Sequence, residues 1–285
     1  MRKVPGVITK SAADIAATAQ HMRVNIIKML AEAGSGHPGG SLSAADIVAS
    51  LYFGGFMNYD ENDPSSPTRD CFILSKGHAA PVLYAVLAEI GYLPEEELLT
   101  LRQLGSRLQG HPDSKKLPGV EVSTGSLGQG LSITAGLALG FALDAKAAGT
   151  QPRKVFTLLG DGEIEEGQVW EAAMFAAHYQ LGNLVAIVDS NGLQIDGDVQ
   201  QVAGLSGIEA KFQAFGWQTI GVDGHDVNAL LTALQAATLI QNAPVCIVAS
   251  TVKGKGVSFM ENQAGWHGKA PNAEQAAQAI DELTT

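Results

Sequence analysis

Polar residues follow two apolar runs of this sequence at the points where each run ends. Gly160-Asp161-Gly162 comes directly after the apolar residues 155–159, and Asn191 follows the next apolar run, residues 184–188. Both runs have the composition of buried strands, and a helical pattern separates them. Because the carboxyl ends of neighbouring parallel strands lie side by side, we expect Asp161 and Asn191 to meet.

These two side chains offer oxygen ligands to a hard divalent metal ion. Mg²⁺ prefers octahedral oxygen coordination and usually shares its ligands between one or two protein groups and phosphate oxygens. Asp161 supplies a carboxylate, Asn191 an amide oxygen, and the turn 191–193 can add a backbone carbonyl. Backbone amides at the start of the following helix can receive a diphosphate. The pattern therefore predicts a metal–diphosphate site, although Gly-Asp-Gly also occurs in solvated turns.

Histidines supply a second group of candidates. Imidazole can hydrogen-bond hydroxyl groups in either protonation state and can transfer protons near neutral pH. Four of the seven histidines lie in loops flanked by glycine or proline, and these are predicted to have a role: His37, His78, His111 and His267. The other three are interpreted as merely exposed: His21, His178 and His225.

Charge limits the partners. Lys and Arg total 18 against 29 Asp and Glu, a formal net charge of -11. Such a chain lacks the basic surface that binds nucleic acid or anionic membranes, so neither partner is expected. An anionic ligand must then be held locally by backbone amides, a metal ion or histidines.

The elements that position these residues alternate between strand and helix. Apolar strands separated by helices indicate a parallel sheet with helices on both faces, an α/β fold that binds ligands at the carboxyl ends of its strands. We expect one domain over residues 1–285, with an N-terminal helix that opens at Ser11 and a C-terminal tail. Ser43 is predicted to cap a helix over 44–53. The predicted strands are 71–74, 155–159, 184–188, 217–222 and 245–250, and the predicted helices include a buried one over 131–146 and others over 164–179 and 227–237.

Cellular location follows from weaker signals. Cys71 and Cys246 lie in apolar runs and are predicted to be buried, unpaired core residues in a reducing compartment. The first five residues lack the apolar stretch of a secretory signal, and no run of 18 apolar residues occurs. A cytoplasmic protein is expected.

Further motifs make the pattern specific to one family. They occupy residues 34–40 (GSGHPGG), 74–79 (LSKGHA), 110–113 (GHPD), 119–130 (GVEVSTGSLGQG) and 265–268 (GWHG). With Gly-Asp-Gly, this set resembles the N-terminal, diphosphate-binding half of transketolases, from about Gly34 to His267. Transketolases usually continue with a pyrimidine-binding domain and a C-terminal domain, which are expected to be absent here. The resemblance thus implies the N-terminal subunit of a split transketolase.

The resemblance also implies cofactors and residue roles. It implies a thiamine-diphosphate-binding fold, thiamine diphosphate with Mg²⁺, and transfer of a two-carbon ketol unit from a ketose phosphate to an aldose phosphate, as in pentose phosphate metabolism. The implied metal ligands are Asp161, Asn191 and the carbonyl of Leu193. The implied cofactor contacts are His78, Gly125, Leu127, Gly162, Glu166, Asn191 and His267, and the implied catalytic histidines of the substrate channel are His37, His111 and His267.

A partner chain is implied as well. In the family, the activating glutamate and most groups that grip the sugar phosphate belong to the missing domains, so we expect an inactive isolated chain. A C-terminal subunit would complete the enzyme, with two copies of each subunit in a heterotetramer.

Several points stay open at this stage. Lys76 and Trp266 depart from residues common in full-length transketolases, so the sugar could be an ordinary pentose or heptulose phosphate or an unusual ketose phosphate. Lys253 and Lys255 could touch an anionic substrate or lie in a solvated loop. Two other functions remain: the α subunit of a thiamine-dependent 2-oxo acid dehydrogenase, and a non-catalytic interaction protein of the same fold.

Overall fold

The computed structural model describes residues 9–285. The interpretation of the first five residues, on which the absence of a secretory signal depended, lies outside the described part. The cytoplasmic location stays a prediction.

A five-stranded parallel sheet forms the centre of the fold. Its strand order is β1-β2-β3-β7-β6, and every neighbouring pair is parallel. A short antiparallel pair, β4-β5, lies outside it. The strands are β1 (Cys71–Leu74), β2 (Val155–Gly160), β3 (Leu184–Ser190), β4 (Leu193–Gln194), β5 (Gly197–Asp198), β6 (Gln218–Asp223) and β7 (Val245–Ser250).

Helices cover both faces of this sheet. Val245 and Ile247 of β7 belong to one apolar cluster, whereas Cys246 and Val248 belong to the other, because successive side chains of a strand point to opposite faces. The α/β class predicted from the sequence is confirmed. The helices are α1 (Ala12–Ala33), α2 (Pro38–Ser43), α3 (Ala45–Phe53), α4 (Ala80–Glu89), α5 (Gln129–Ala148), α6 (Gly167–His178), α7 (Val199–Val202), α8 (Ile208–Ala214), α9 (Val227–Leu239) and α10 (Ala273–Thr284).

The ends of α1 follow local sequence rules. The Ser11 hydroxyl accepts a hydrogen bond from the Asp14 amide, which satisfies one of the free N–H groups at a helix start. Gly34 ends the helix with φ of 61°, a left-handed conformation that glycine adopts without strain. The predicted start at Ser11 is therefore confirmed.

Two local predictions are wrong. Ser43 does not cap α3: it is the last residue of α2, and Ala44 precedes α3. The hydroxyl of Ser43 donates instead to Asp189, 2.6 Å away. Helix α5 is only partly buried, since it packs on β1, β2, β3 and α6 along one face.

Helix α5 also bears on the membrane question. Within residues 9–285 it is the one helix long and apolar enough to cross a membrane by length and composition. Core helices of soluble proteins share this composition, so the helix is weak evidence of a membrane span.

Candidate functional site

Loops from four strands meet at one edge of the sheet. Leu74 of β1 is in register with Leu158 of β2, Gly160 of β2 with Asp189 of β3, and Ser190 of β3 with Ser250 of β7. Since all these strands run in the same direction, the loops that follow them form one continuous surface. This surface carries the motifs singled out in the sequence.

Asp161 and Asn191 lie on adjacent loop tips. One carboxylate oxygen of Asp161 accepts a hydrogen bond from the Gly192 amide at 2.6 Å, and the other accepts from the Gly162 amide at 2.9 Å. The side-chain oxygen of Asn191 accepts from the Leu193 amide at 3.2 Å. The predicted oxygen donors are thus brought together, although their roles stay predictions.

Electrostatics at Asp161 suit a bound cation. Burial and the nearby Asp189 carboxylate raise the pKa of Asp161 to about 6. The ammonium of Lys253 already lies 3.1 Å from the Leu193 carbonyl. Residues 9–285 contain no cluster of three His, Cys, Asp or Glu side chains that could hold a metal. A metal here would bind one carboxylate, one amide oxygen and one backbone carbonyl, and complete its shell with phosphate or water oxygens, as Mg²⁺ does.

The chain around Gly162 differs from the prediction in one respect. A 3-10 turn, Glu163–Glu165, follows Gly162, and α6 begins only at Gly167. Glu163 is 3% exposed and accepts hydrogen bonds from the Ser75 hydroxyl and from the Gly128 and Gly160 amides. This glutamate ties three loops of the site together. The predicted helix began at residue 164, and the sequence pattern predicted no role for Glu163.

The four predicted histidines form one cluster. The ring of His37 lies 5.2 Å from that of His78, 5.5 Å from that of His267 and 6.4 Å from that of His111, measured between centroids. The rings of His78 and His267 are 5.0 Å apart. Residues from four separate loops therefore line one space.

Burial favours the neutral form of all four imidazoles. Burial, with the charge of Arg102 next in size, lowers the pKa of His37 to about 4, and burial with the charge of Lys253 lowers that of His267 to about 3. Burial also lowers the pKa of His78 and of His111. A neutral imidazole has one donor and one acceptor nitrogen, so the cluster can hydrogen-bond several hydroxyl groups of a ligand.

Gly125 lies beside this cluster, and Leu127 follows it in the same loop. Gly125 has φ of 152°, and a side chain at this position would reach within 3.0 Å of the His111 ring. The neighbouring Thr124 hydroxyl donates to the Leu74 carbonyl at 2.7 Å, which fixes the loop to the end of β1. Leu127 is half-buried, whereas Glu166 is exposed at the start of α6. Their contacts with a cofactor stay predictions.

A buried ion pair forms the floor of the site. The ammonium of Lys76 donates to the Asp189 carboxylate and to the Gly40 carbonyl, 2.7 Å away. Asp189 is fully buried and also accepts from the hydroxyls of Ser43 and Thr251. Burial by itself raises the pKa of Asp189, but the charge of Lys76 and these hydrogen bonds outweigh it and lower the pKa. A charged residue directly after the apolar run 184–188 was the available signal for Asp189.

Three cations near the site were left open or missed in the sequence: Lys253 and Lys255 were left open, and Arg102 was missed. Lys253 is 2% exposed and contacts the imidazole Nδ1 of His267 at 3.0 Å, so it does not lie in a solvated loop. Lys255 is half-exposed beside Glu261. The Arg102 guanidinium occupies the space that a side chain on Gly110 would need, next to His111.

The histidines interpreted as exposed differ from one another. His21 and His178 are exposed, as expected. The prediction for His225 is wrong, because its side chain is 14% exposed and is hydrogen-bonded to Asp46.

A cavity of about 820 Å³ lies at the opposite edge of the sheet. It is lined by residues that precede β2 and β3, including Lys154 and Asn183, and by the end of α9. None of the predicted site residues lines it, and it holds no cluster of titratable groups. The histidine cluster and the Asp161–Asn191 loop tips, which Lys253 connects through His267 and the Leu193 carbonyl, are the better candidate site.

Comparison with known proteins identifies the family. The family model described as "Transketolase, thiamine diphosphate binding domain" matches residues 15–284. The chain belongs to the transketolase family. It is 46% identical to the transketolase-like protein 2 of Homo sapiens over 266 residues, which cover 93% of this chain and 41% of that protein.

Another relative matches over nearly its whole length. The chain is 41% identical to the 6-deoxy-6-sulfo-D-fructose transketolase subunit SqwG of Clostridium sp. (strain MSTE9), over 95% of this chain and 96% of that protein. The chain otherwise spans 41% of the length of its human and orangutan transketolase relatives. The family assignment decides against the 2-oxo acid dehydrogenase alternative.

Solved transketolase structures share the fold. The transketolase of Pichia stipitis in complex with sedoheptulose-7-phosphate superposes with a TM-score of 0.90 at 34% identity, over 96% of this chain and 41% of that chain. The transketolase of Leishmania mexicana gives a TM-score of 0.90 at 33% identity, over 97% of this chain and 42% of that chain. The chain is thus a thiamine-diphosphate-binding domain of the transketolase type.

Proposed function

We propose that this chain is the cofactor-binding half of a transketolase that transfers a two-carbon ketol unit from a ketose phosphate to an aldose phosphate. One observation carries the proposal: the Asp161–Asn191 loop tips lie at the same sheet edge as a cluster of four histidines. The first feature suits a metal bound to a diphosphate, and the second suits a sugar with several hydroxyl groups.

Magnesium would be held by Asp161, Asn191 and the Leu193 carbonyl, and a diphosphate would bind beside Gly162. Thiamine diphosphate, when bound, supplies the carbanion chemistry that breaks and forms carbon–carbon bonds beside a ketone. The metal would neutralise the buried carboxylate of Asp161, whose raised pKa reflects burial and the Asp189 charge. Lys253 and Lys76 add positive charge in a chain of net charge -11.

The histidines would orient the sugar and move protons at its hydroxyl groups. His37, His111 and His267 line the space between the loops, and each has a lowered pKa. A neutral imidazole can accept a hydroxyl proton as a general base and return it as a general acid. His78 and Gly125 lie around the same space and, together with Leu127 and Glu166, would contact the cofactor.

A second chain would complete the active site. The match to a protein named as a transketolase subunit, over 96% of its length, supports a two-chain arrangement. The partner would supply the activating glutamate and most sugar-phosphate contacts, with two copies of each chain in the assembly.

The sugar has two candidates. An ordinary ketose phosphate is favoured by the Pichia stipitis structures, whose names include sedoheptulose-7-phosphate and xylulose-5-phosphate. A ketose that carries a sulfonate in place of the phosphate is the second candidate, because the Clostridium relative is named for 6-deoxy-6-sulfo-D-fructose.

Asp161→Asn tests the metal site. The chain is reconstituted with a partner chain that carries the pyrimidine-binding domain, and thiamine diphosphate binding is measured by calorimetry with and without Mg²⁺. We expect Asp161→Asn to weaken Mg²⁺-dependent binding at least about tenfold, the scale of one lost charged ligand. Asp196→Asn, an exposed carboxyl in the neighbouring loop, serves as the matched control. Unchanged binding in Asp161→Asn would refute the site.

Ketol transfer is assayed on the same preparations with a panel of ketose phosphates and one sulfonated ketose. We expect turnover only when both chains are present. Robust turnover by this chain alone would end the two-chain proposal, and cofactor binding without turnover on any sugar would favour a non-catalytic protein of this fold.

A further inference from the structure

Three side chains from distant parts of the sequence form a buried chain behind the candidate site. The guanidinium of Arg23, on α1, pairs with both carboxylate oxygens of Asp46, on α3, one of them at 3.2 Å. Nδ1 of His225, in the loop between β6 and α9, lies 2.7 Å from the same carboxylate. The backbone amide of Val252 donates to Nε2 of His225 at 2.8 Å.

This geometry defines the tautomer of His225. Nε2 accepts a hydrogen bond from the Val252 amide, so this nitrogen carries no hydrogen. The ring hydrogen is therefore on Nδ1, which donates to Asp46. Arg23 already balances the charge of Asp46, which suits a neutral imidazole. Burial would raise the pKa of Asp46, but the hydrogen bond from His225 and the Arg23 charge together lower it.

The Val252 amide, which donates to His225, belongs to the loop after β7. Backbone hydrogen bonds fix this loop on either side of Val252. The Thr251 amide donates to the Ser190 carbonyl at 3.1 Å, and the Gly254 amide donates to the Gly39 carbonyl at 3.0 Å. The same loop carries Lys253, whose ammonium contacts the Leu193 carbonyl and the ring of His267. The anchor at Val252 is thus one residue from a buried cation of the site.

We propose that His225 is a positioning residue that holds the Lys253 loop against the cofactor site through the Val252 amide. Asp46 orients the ring, and Arg23 fixes Asp46, so that the acceptor nitrogen faces the loop. The local effect on Val252 is independent of function, whereas the effect on cofactor affinity rests on the proposed function.

Two substitutions separate the two hydrogen bonds of the ring. In His225→Asn the amide group replaces Nδ1 and can still donate to Asp46, but nothing reaches Val252. In His225→Gln the longer side chain places an oxygen near the position of Nε2, where it can accept from Val252, while the bond to Asp46 is lost. Because asparagine is also smaller than histidine, His225→Met is the control for volume: its side chain is about as large as that of glutamine but offers no strong acceptor to the Val252 amide. If His225 only filled space, the Val252 amide would be as well protected in His225→Met as in His225→Gln, and that result would overturn the proposal.

Amide hydrogen exchange in the full chain measures the local effect. We expect the Val252 amide to exchange at least about fivefold faster in His225→Asn, the scale of one net hydrogen bond, and to stay within about twofold of the unsubstituted protein in His225→Gln. His178→Asn, an exposed histidine on α6, controls for the loss of an imidazole. Unchanged exchange in His225→Asn, or equal acceleration in both variants, would overturn the proposal.

Calorimetry with thiamine diphosphate and Mg²⁺, on chains reconstituted with the partner, measures the effect on the site. We expect about fivefold weaker binding in His225→Asn and near-normal binding in His225→Gln, in the same order as the exchange rates. Equal affinities alongside different exchange rates would overturn the link to the site. If the unsubstituted protein binds no cofactor, the proposed function fails, while the exchange result still decides the role of His225 in holding the loop.

Discussion

Replacing Lys76 by methionine tests the ion pair beneath the candidate site. Methionine keeps much of the length of lysine but removes the charge that faces Asp189, which is fully buried. Removal of one partner of a buried pair costs about 3 kcal/mol or more, since the remaining charge stays uncompensated. The buried Gly40 carbonyl also loses its donor, at about 1 kcal/mol. We expect the free energy of unfolding at pH 7 to fall by about 4 kcal/mol.

Urea denaturation of the purified chain measures this change. Lys28→Met, an exposed lysine on α1, is the matched control and should change stability by less than about 0.5 kcal/mol. The double variant Lys76→Met, Asp189→Asn removes the unpaired charge and should recover about half of the loss. A coupling energy near zero in this double-mutant cycle would contradict the ion-pair interpretation.

The pH dependence gives an independent test of the same pair. In the unsubstituted protein the pKa of Asp189 is lowered, so its stabilisation is present above the unfolded pKa and is lost as pH falls through the folded pKa. Without Lys76, burial raises the pKa of Asp189, so the charged carboxyl destabilises the fold above its unfolded pKa. The gap between variant and parent should therefore shrink as pH falls from 7 towards about 4. A gap that stays constant or widens would refute the reasoning.

Two further predictions concern the histidines and the glycine-rich loops. His37 and His267 should stay neutral at pH 5.5 in an NMR titration, since their pKa values lie at about 4 and about 3. The same histidines bind protons below about pH 6.5 in the unfolded chain, so the free energy of unfolding should fall as the pH drops below that value. A midpoint near pH 6.5 for either ring would contradict the burial argument. Gly77→Ala should cost about 1–3 kcal/mol in urea denaturation, because a Cβ atom would lie 2.7 Å from the Thr124 backbone. Gly136→Ala, on α5 with open space around it, should stabilise the isolated chain by about 0.5–1 kcal/mol, and a similar change in both variants would refute the steric argument.

Local sequence rules account for much of the fold. The apolar runs at β1 and β7 were predicted with their observed bounds, 71–74 and 245–250, because a fully buried parallel strand is a short uninterrupted apolar segment. The start of α1 followed from Ser11 as its N-cap. Local rules failed at Ser43, whose hydroxyl bonds to Asp189 across 146 residues of sequence, in place of capping a helix.

The sequence by itself determined the order of the strands along the chain and the loops that follow them. It thereby determined that Asp161 and Asn191 lie on neighbouring loops. The physical reason is that parallel strands joined by helices must present their carboxyl ends at one edge, so a local pattern is enough to place the loop tips. The glycine- and histidine-containing motifs were also sufficient to indicate the transketolase family, which the comparisons confirm.

Only the tertiary structure decided which partners support those loops. Lys76 and Asp189 are 113 residues apart in sequence, and His225 and Asp46 are 179 apart. Periodicity reports which face of an element is buried, but it carries no information on which polar groups meet inside. A buried charge or imidazole is stable only when a specific partner reaches it, and that depends on how all the elements pack together.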